Sequence, residues 1–210
     1  MTNVLIEELE EDVEFITGNH KQLGMMESIE DDFNAAIFIG YHARHNTPGT
    51  LAHSYYGTVV SEITINDKKV GESELNALLA AAYDVPVIMI SGDDVLASQV
   101  EEFNPDIERV IVKEAISRYT AKCLTPTKVK KKLAKQCLDA IKRMDDIKMI
   151  KCEGQVKLEV EFHNNGLAEA TLNMPGVELI KPNRVRYMAK DMVEAYKVRS
   201  VLTTLASTVL

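Results

Sequence analysis

Two uninterrupted apolar runs constrain this chain more than anything else in it: AAIFIG at residues 35–40 and VPVIMI at 85–90. Each has the length of a strand, and each stops at a glycine or a Ser-Gly pair where polar residues take over. A strand with one wet face alternates in polarity, so a run without alternation points to a strand covered on both faces, as inside a parallel sheet. Parallel neighbours cannot be joined by tight turns and need crossover connections, usually helices. Helix-forming Leu and Ala fill residues 74–83 ahead of the second run, and Asp93 opens another helix behind it. A third short strand at 109–112 precedes a helix over 126–144, begun by Pro126, with Val129, Leu133, Cys137 and Ile141 at i, i+4 spacing. Alternating strand and helix predict an α/β fold, an open and mostly parallel sheet flanked by helices, with ligands at the carboxyl ends of its strands.

Other segments are read the same way. Asn3 caps an expected short helix through Val4, Leu5, Ile6 and Leu9. β-Branched residues at 58–65, the turn pair Asn66-Asp67 and a return at 68–70 predict a hairpin. Beyond Lys151 the texture changes: residues 156–162 alternate apolar and acidic positions, as in a strand wet on one face, and 191–206 form a terminal amphipathic helix. A boundary is therefore expected near 148–154, dividing a core of residues 1–150 that carries the reactive groups from a smaller α+β subdomain of residues 151–210. Internal repeats and low-complexity stretches are absent.

Charge and cysteine content narrow the partners. Against 24 Lys and Arg stand 32 Asp and Glu, a net charge of −8 that repels phosphate backbones. The basic run Lys128, Lys130, Lys131, Lys132 and Lys135 has no interleaved aromatics and reads as a solvated helix face, so no nucleic acid partner is expected. Acids occupy the N-terminal segment where a signal peptide would carry bases, and no apolar run approaches the roughly 18 residues of a membrane span. Neither export nor membrane insertion is expected. Cys123, Cys137 and Cys152 are odd in number and contain no CxxC pair, which suits reduced thiols and a cytoplasmic setting.

Three of the five histidines, His42, His45 and His53, fall within twelve residues just after the first apolar run, where random placement would put about 0.3. Imidazole ligates divalent metals when neutral and shuttles protons near neutral pH, so the cluster has two chemical readings. The plain alternative is one helix-capping histidine with solvated neighbours. A carboxylate at Glu72, just after Val70-Gly71, could complete an oxygen-bearing metal site or could simply complement the dipole of the helix it begins. Asp93-Asp94 could hold a metal or phosphate, but an N-cap is the simpler role. Cys123 reads as a buried or inert thiol rather than a nucleophile. No Walker loop, GxGxxG, HExxH or GxSxG is present.

A series of strings in fixed order then resembles a known family. These are Gly40-Tyr41-His42-Ala43-Arg44, Thr47-Pro48-Gly49, His53-Ser54, Ile65-Asn66-Asp67, Val70-Gly71-Glu72, Leu75-Asn76-Ala77 and Tyr83-Asp84-Val85-Pro86-Val87. Further along come Gly92-Asp93-Asp94, Lys113, Ile116-Ser117-Arg118, Lys122-Cys123-Leu124, Met174-Pro175-Gly176 and Ala189-Lys190-Asp191-Met192. Together they span nearly the whole chain and look like the DppA-type zinc D-aminopeptidases.

That resemblance implies a zinc-dependent hydrolase of short peptides with D-configured N-termini, two Zn2+ ions per site, and a ring-based decamer. It places His42 and Glu72 as ligands of one ion and His53 as the catalytic nucleophile or base; His45 matches no ligand. The family also has an opening strand with an Asp-x-Glu-Gly motif and a ligand histidine in an Asn-Asp-Ser-His string, and neither is found here. The resulting expectation is an amino-terminally truncated enzyme that binds zinc weakly, acts poorly and has a sheet short of one strand. The competing reading, from a different class, is a non-catalytic oligomeric scaffold or binding module with the same fold.

Overall fold

Four strands and five strands make two sheets, and one apolar core joins them in the computed structural model, which describes residues 4–210. Sheet A has the order β1-β4-β5-β6, formed by β1 (Ala36–Phe38), β4 (Val87–Asp93), β5 (Glu108–Ser117) and β6 (Thr120–Cys123). Its first three strands are parallel and β6 returns antiparallel. The helices α1 (Glu72–Ala82), α2 (Asp94–Phe103) and α3 (Pro126–Lys142) pack against these strands. The expected α/β fold with a mostly parallel sheet is thus present.

Sheet B is antiparallel, in the order β3-β2-β7-β9-β8, built from β2 (Val60–Ile65), β3 (Lys68–Val70), β7 (Val156–Phe162), β8 (Glu178–Lys181) and β9 (Arg184–Ala189). The helices α4 (Asn165–Thr171) and α5 (Met192–Ser207) cover it, and α5 also packs on α1. Residues 60–70 and 156–189 therefore share one sheet across the expected boundary at 148–154, with Ile63 opposite Val160. Buried Val60, Ile63, Leu75, Leu158, Phe162 and Tyr196 belong to the same apolar cluster.

Four local expectations need correction. The Asn3 cap lies outside the described residues, and the segment after it forms only a three-residue 3-10 turn, Ile6–Glu8, with Leu5 and Ile6 exposed. Six acids within 7–14 repel one another at helical spacing, and no core contacts offset that. The first apolar run is not covered on both faces: β1 is an edge strand, with Ile37 37% and Ile39 57% exposed. The third strand continues from Val112 to Ser117 and turns back into β6, a hairpin without an apolar signature. The polar face of β7 is only partly wet: Arg184 and Arg186 of β9 lie across Glu159, which is buried, while Lys157 and Glu161 beside it stay half-buried.

The expected cap at Asp93 forms, and Asp191 caps the terminal helix in the same way. Asp93 accepts the Leu96 N–H at 2.8 Å, and Asp191 accepts the Glu194 N–H at 2.7 Å. No helix among the described residues is long and apolar enough to cross a membrane.

Candidate metal centre

The carboxyl ends of β1 and β4 hold the first part of the site. After β1 the pairing with β4 continues through backbone contacts: the Gly40 N–H donates to Ser91 Oγ at 3.0 Å, and the Tyr41 N–H to the Ser91 carbonyl at 2.9 Å. Gly92 permits this approach, since a Cβ there would lie 2.4 Å from the Tyr41 carbonyl oxygen. His42 is thereby fixed one residue beyond the last of these bonds.

Glu72 comes from a different element, the first turn of α1. The helix N-terminus favours an anion there. Glu74 completes the turn by accepting the Gly71 N–H at 2.9 Å and faces Arg44, whose Nη1 lies 3.5 Å away. Its neighbour Glu72 is also buried, and its Oε1 accepts the Tyr55 N–H at 2.7 Å.

His53 sits on the loop between β1 and β2. Asn46, Leu51 and Tyr55 in that loop have φ of 59°, 57° and 56°, in the left-handed region that non-glycine residues seldom occupy. The loop is held against sheet A by the Thr50 N–H to Asp93 Oδ2 at 2.7 Å, the Leu51 N–H to the Arg118 carbonyl at 2.8 Å, and the Arg118 guanidinium to the Ala52 carbonyl.

These three elements bring one donor atom each from His42, His53 and Glu72 within 4.8 Å of one another. Glu72 Oε1 lies 3.5 Å from His42 Nε2 and 3.7 Å from His53 Nε2. The two imidazoles stack with centroids 3.8 Å apart and planes 22° from parallel. Each ring is oriented by its other nitrogen: His42 Nδ1 lies 3.2 Å from the Ala43 carbonyl oxygen and His53 Nδ1 2.7 Å from that of Leu51. A carbonyl oxygen only accepts, so Nδ1 carries the proton and Nε2 presents its lone pair to the carboxylate side.

Electrostatics favour the neutral ring at His42. Burial pushes its pKa below 6.5, and the nearby His53 and Lys113 act in the same direction, against the pull of Glu72. Two imidazoles whose Nε2 atoms face one carboxylate form a donor set suited to zinc and to other borderline divalent ions.

A polar cluster lies behind the donors. Asn76, fully buried four residues after Glu72, accepts the Tyr55 and Tyr196 hydroxyls at 2.9 Å each and donates to the Tyr41 hydroxyl at 2.9 Å. Burial raises all three phenol pKa values, so they remain protonated donors. Tyr55 and Tyr196 carry no motif signal, whereas Asn76 lies in the Leu75-Asn76-Ala77 string. An asparagine within the Leu- and Ala-rich α1 is also a physical hint, because a buried amide must find partners.

The other candidates go elsewhere. His45 points its ring at His163, edge to face with centroids 5.0 Å apart, and its Nδ1 is buried without a partner. Asp93 is spent on Leu96 and Thr50, while Asp94 accepts the Ala115 N–H at 2.8 Å, so backbone donors occupy both aspartates. Cys123 is exposed, so of the expected buried or inert thiol the buried alternative does not hold, and the three cysteines are unpaired. Lys128, Lys130, Lys131 and Lys135 are exposed along α3, whereas Lys132 reaches the Ile111 carbonyl. None of the three donors lines the cavity of about 520 Å³ bounded by Arg44, Val70, Glu74, Leu78, Gln99 and Phe103.

Comparison with known proteins bears on this geometry. The family model described as Peptidase_M55, D-aminopeptidase, matches residues 1–201. The D-aminopeptidase of Bacillus subtilis (strain 168) is 41% identical over 208 residues, covering 98% of this chain and 75% of that protein. The solved structure described as the Zn-dependent D-aminopeptidase DppA from Bacillus subtilis, a self-compartmentalizing protease, superposes with a TM-score of 0.94 at 40% identity, over 98% of this chain and 75% of the other.

Proposed function

This chain belongs to the Peptidase_M55 D-aminopeptidase family, and from that premise we propose that it is a zinc-dependent aminopeptidase acting on short peptides with D-configured N-termini. The observation that carries the reading is the convergence of His42, Glu72 and His53, with donor atoms within 4.8 Å, at the carboxyl ends of parallel strands. The similar solved structure is Zn-dependent, and the donor chemistry suits that ion.

Each residue has a role that its surroundings support. His42, the more enclosed imidazole, and Glu72 serve as ligands. His53, whose side chain is 34% exposed against 16% for His42, faces solvent and substrate. Its Nε2 lone pair can accept a proton from water or attack the scissile carbonyl, and the Leu51 carbonyl stabilises the imidazolium that proton acceptance would leave. Zinc held here would supply a Lewis acid that polarises the carbonyl and acidifies a bound water. The carboxylate of Glu72 and the net charge of −8 favour approach of the substrate ammonium group.

With His53 given to proton transfer or attack, His42 and Glu72 supply two ligands of one ion, short of the three that a catalytic zinc usually takes, and a pair of ions needs a bridging group as well. From these residues alone the expectation is weak binding of one ion. Self-association belongs to the same proposal, supported by the self-compartmentalizing relative and by the open edge of β1 with exposed Ile37 and Ile39.

The test combines zinc analysis after dialysis with hydrolysis of D-Ala and L-Ala dipeptides in zinc-containing buffer. Retained zinc and faster cleavage of the D-series support the proposal. Absence of both overturns it and leaves the oligomeric scaffold as the surviving reading.

A further inference from the structure

We propose that Arg199 is a positioning residue for the metal centre and acts through Tyr55; the inference rests on the zinc-aminopeptidase reading of that centre. Arg199 lies on α5, in a segment 120 or more residues away from every donor in the chain, and is only 5% exposed. A buried guanidinium is ordinarily matched by a carboxylate. Among the described residues no acid lies within ion-pair distance of Arg199, and its Nε has no hydrogen-bond partner.

Two aromatic faces receive the cation instead. Arg199 Cζ lies 3.6 Å from the Tyr55 ring centroid and 4.7 Å from that of Tyr196. Tyr55 is thus restrained on every side: by the guanidinium on its face, by Tyr196 edge to face at 6.4 Å and 83°, and by Asn76 at its hydroxyl.

The restraint matters because Tyr55 holds a backbone conformation it would not choose. With φ at 56° an aromatic L-residue is strained, and strain of this kind persists only where the surroundings impose it. The strained backbone aims the Tyr55 N–H at Glu72 Oε1, the same oxygen that faces the Nε2 atoms of His42 and His53. A relaxed residue 55 would withdraw that N–H and free the carboxylate to rotate off the shared point. The clamp therefore acts on ligand orientation, which is how outer partners of metal ligands tune affinity.

The experiment uses Arg199→Met, with Arg199→Lys and Tyr55→Phe alongside. Zinc affinity is measured by competition with a chromophoric chelator, Tyr55 amide exchange is followed by NMR in metal-free protein, and folding is checked by thermal melting. Arg199→Met should weaken zinc binding about 10- to 100-fold and speed Tyr55 exchange, and Arg199→Lys should recover part of both. Tyr55→Phe keeps the ring under the guanidinium and loses only the Asn76 bond, so it should move both readouts in the same direction but less; it decides the matter if Arg199→Met fails to fold. A lowered melting temperature with zinc affinity and Tyr55 exchange unchanged overturns the positioning role and leaves a purely structural cation–π contact. Wild-type protein that binds no zinc overturns this inference, and the parent reading with it when D-peptide cleavage is absent too, whereas zinc-binding wild type beside an unaffected variant overturns this one alone.

Discussion

Glu72→Gln separates charge from shape at the centre of the site. The buried carboxylate accepts the Tyr55 N–H through Oε1 and faces both imidazoles through the same atom. Glutamine preserves the side-chain length and an acceptor oxygen for Tyr55, so the metal-free fold should change little. Zinc at 100 times its Kd stabilises a protein that binds it only when folded by about 2.7 kcal/mol. A chain of this size gains about 2–4 °C per kcal/mol, so wild type should melt about 5–11 °C higher with zinc than with EDTA. Loss of a ligand should cost at least the 100-fold upper bound for loss of an outer partner. At the same zinc concentration the variant would then keep only about 0.4 kcal/mol of that effect, or about 1–2 °C. Differential scanning calorimetry with and without zinc measures both shifts. A variant that retains the full wild-type shift would show that Glu72 is not a ligand, and the reasoning from donor convergence would fail.

Three further outcomes are expected. Because burial, with His53 and Lys113, holds the His42 pKa below 6.5, the unfolded chain takes up that proton first on acidification; metal-free stability should be full above about pH 6.5 and decline as pH falls through the lower folded value. Thermal melts between about pH 7 and pH 5 should show a shallower decline for His42→Asn, and parallel slopes would disprove the assignment. Arg184→Met should lower stability by about 3 kcal/mol in urea unfolding, since Arg184 contacts Glu62 of β2 and Glu159 and Glu161 of β7 and its loss leaves three carboxylates with too few cations; a change below about 1 kcal/mol would mean that solvent already screens this ladder. Gly92→Ala should cost about 1–3 kcal/mol and weaken zinc binding together, because the Leu96 side chain can move from the added methyl but the Tyr41 carbonyl at 2.4 Å can move only by displacing His42; full zinc affinity in a destabilised variant would refute that linkage.

Local rules were enough for much of the fold. Parallel strands announced themselves where both faces are packed, as at 87–90, and Asp93 and Asp191 marked helix starts because their short carboxylates satisfy the first free N–H groups. They failed where tertiary placement overrides a local pattern. The apolar run at 35–40 is compatible with a central strand, yet which strands flank it is not written in the run, and β1 lies at an edge. Alternation along β7 correctly gives one apolar face, but acids on the other face say nothing of the arginines that Arg184 and Arg186 bring across from β9. The acidic stretch near Ile6 has helical periodicity and no surface to bury it against.

The site divides along the same line. Clustering singles out His42, His45 and His53 as a group, and composition alone cannot rank them, since the imidazoles are chemically equal. Geometry ranks them through backbone dihedrals: the left-handed residues Asn46, Leu51 and Tyr55 turn the loop so that His53 doubles back over His42 while His45 faces His163. Such dihedrals are invisible to periodicity, and at Leu51 and Tyr55 they run against residue preference. What makes them tolerable is remote, in Asp93 and Arg118 holding the loop and in Asn76, Tyr196 and Arg199 holding Tyr55. A site whose ligand orientation depends on strain borne by distant residues can lose metal through substitutions that touch no ligand, and those substitutions should fall at Asp93, at Arg118 and on α1 and α5 rather than near the histidines in sequence.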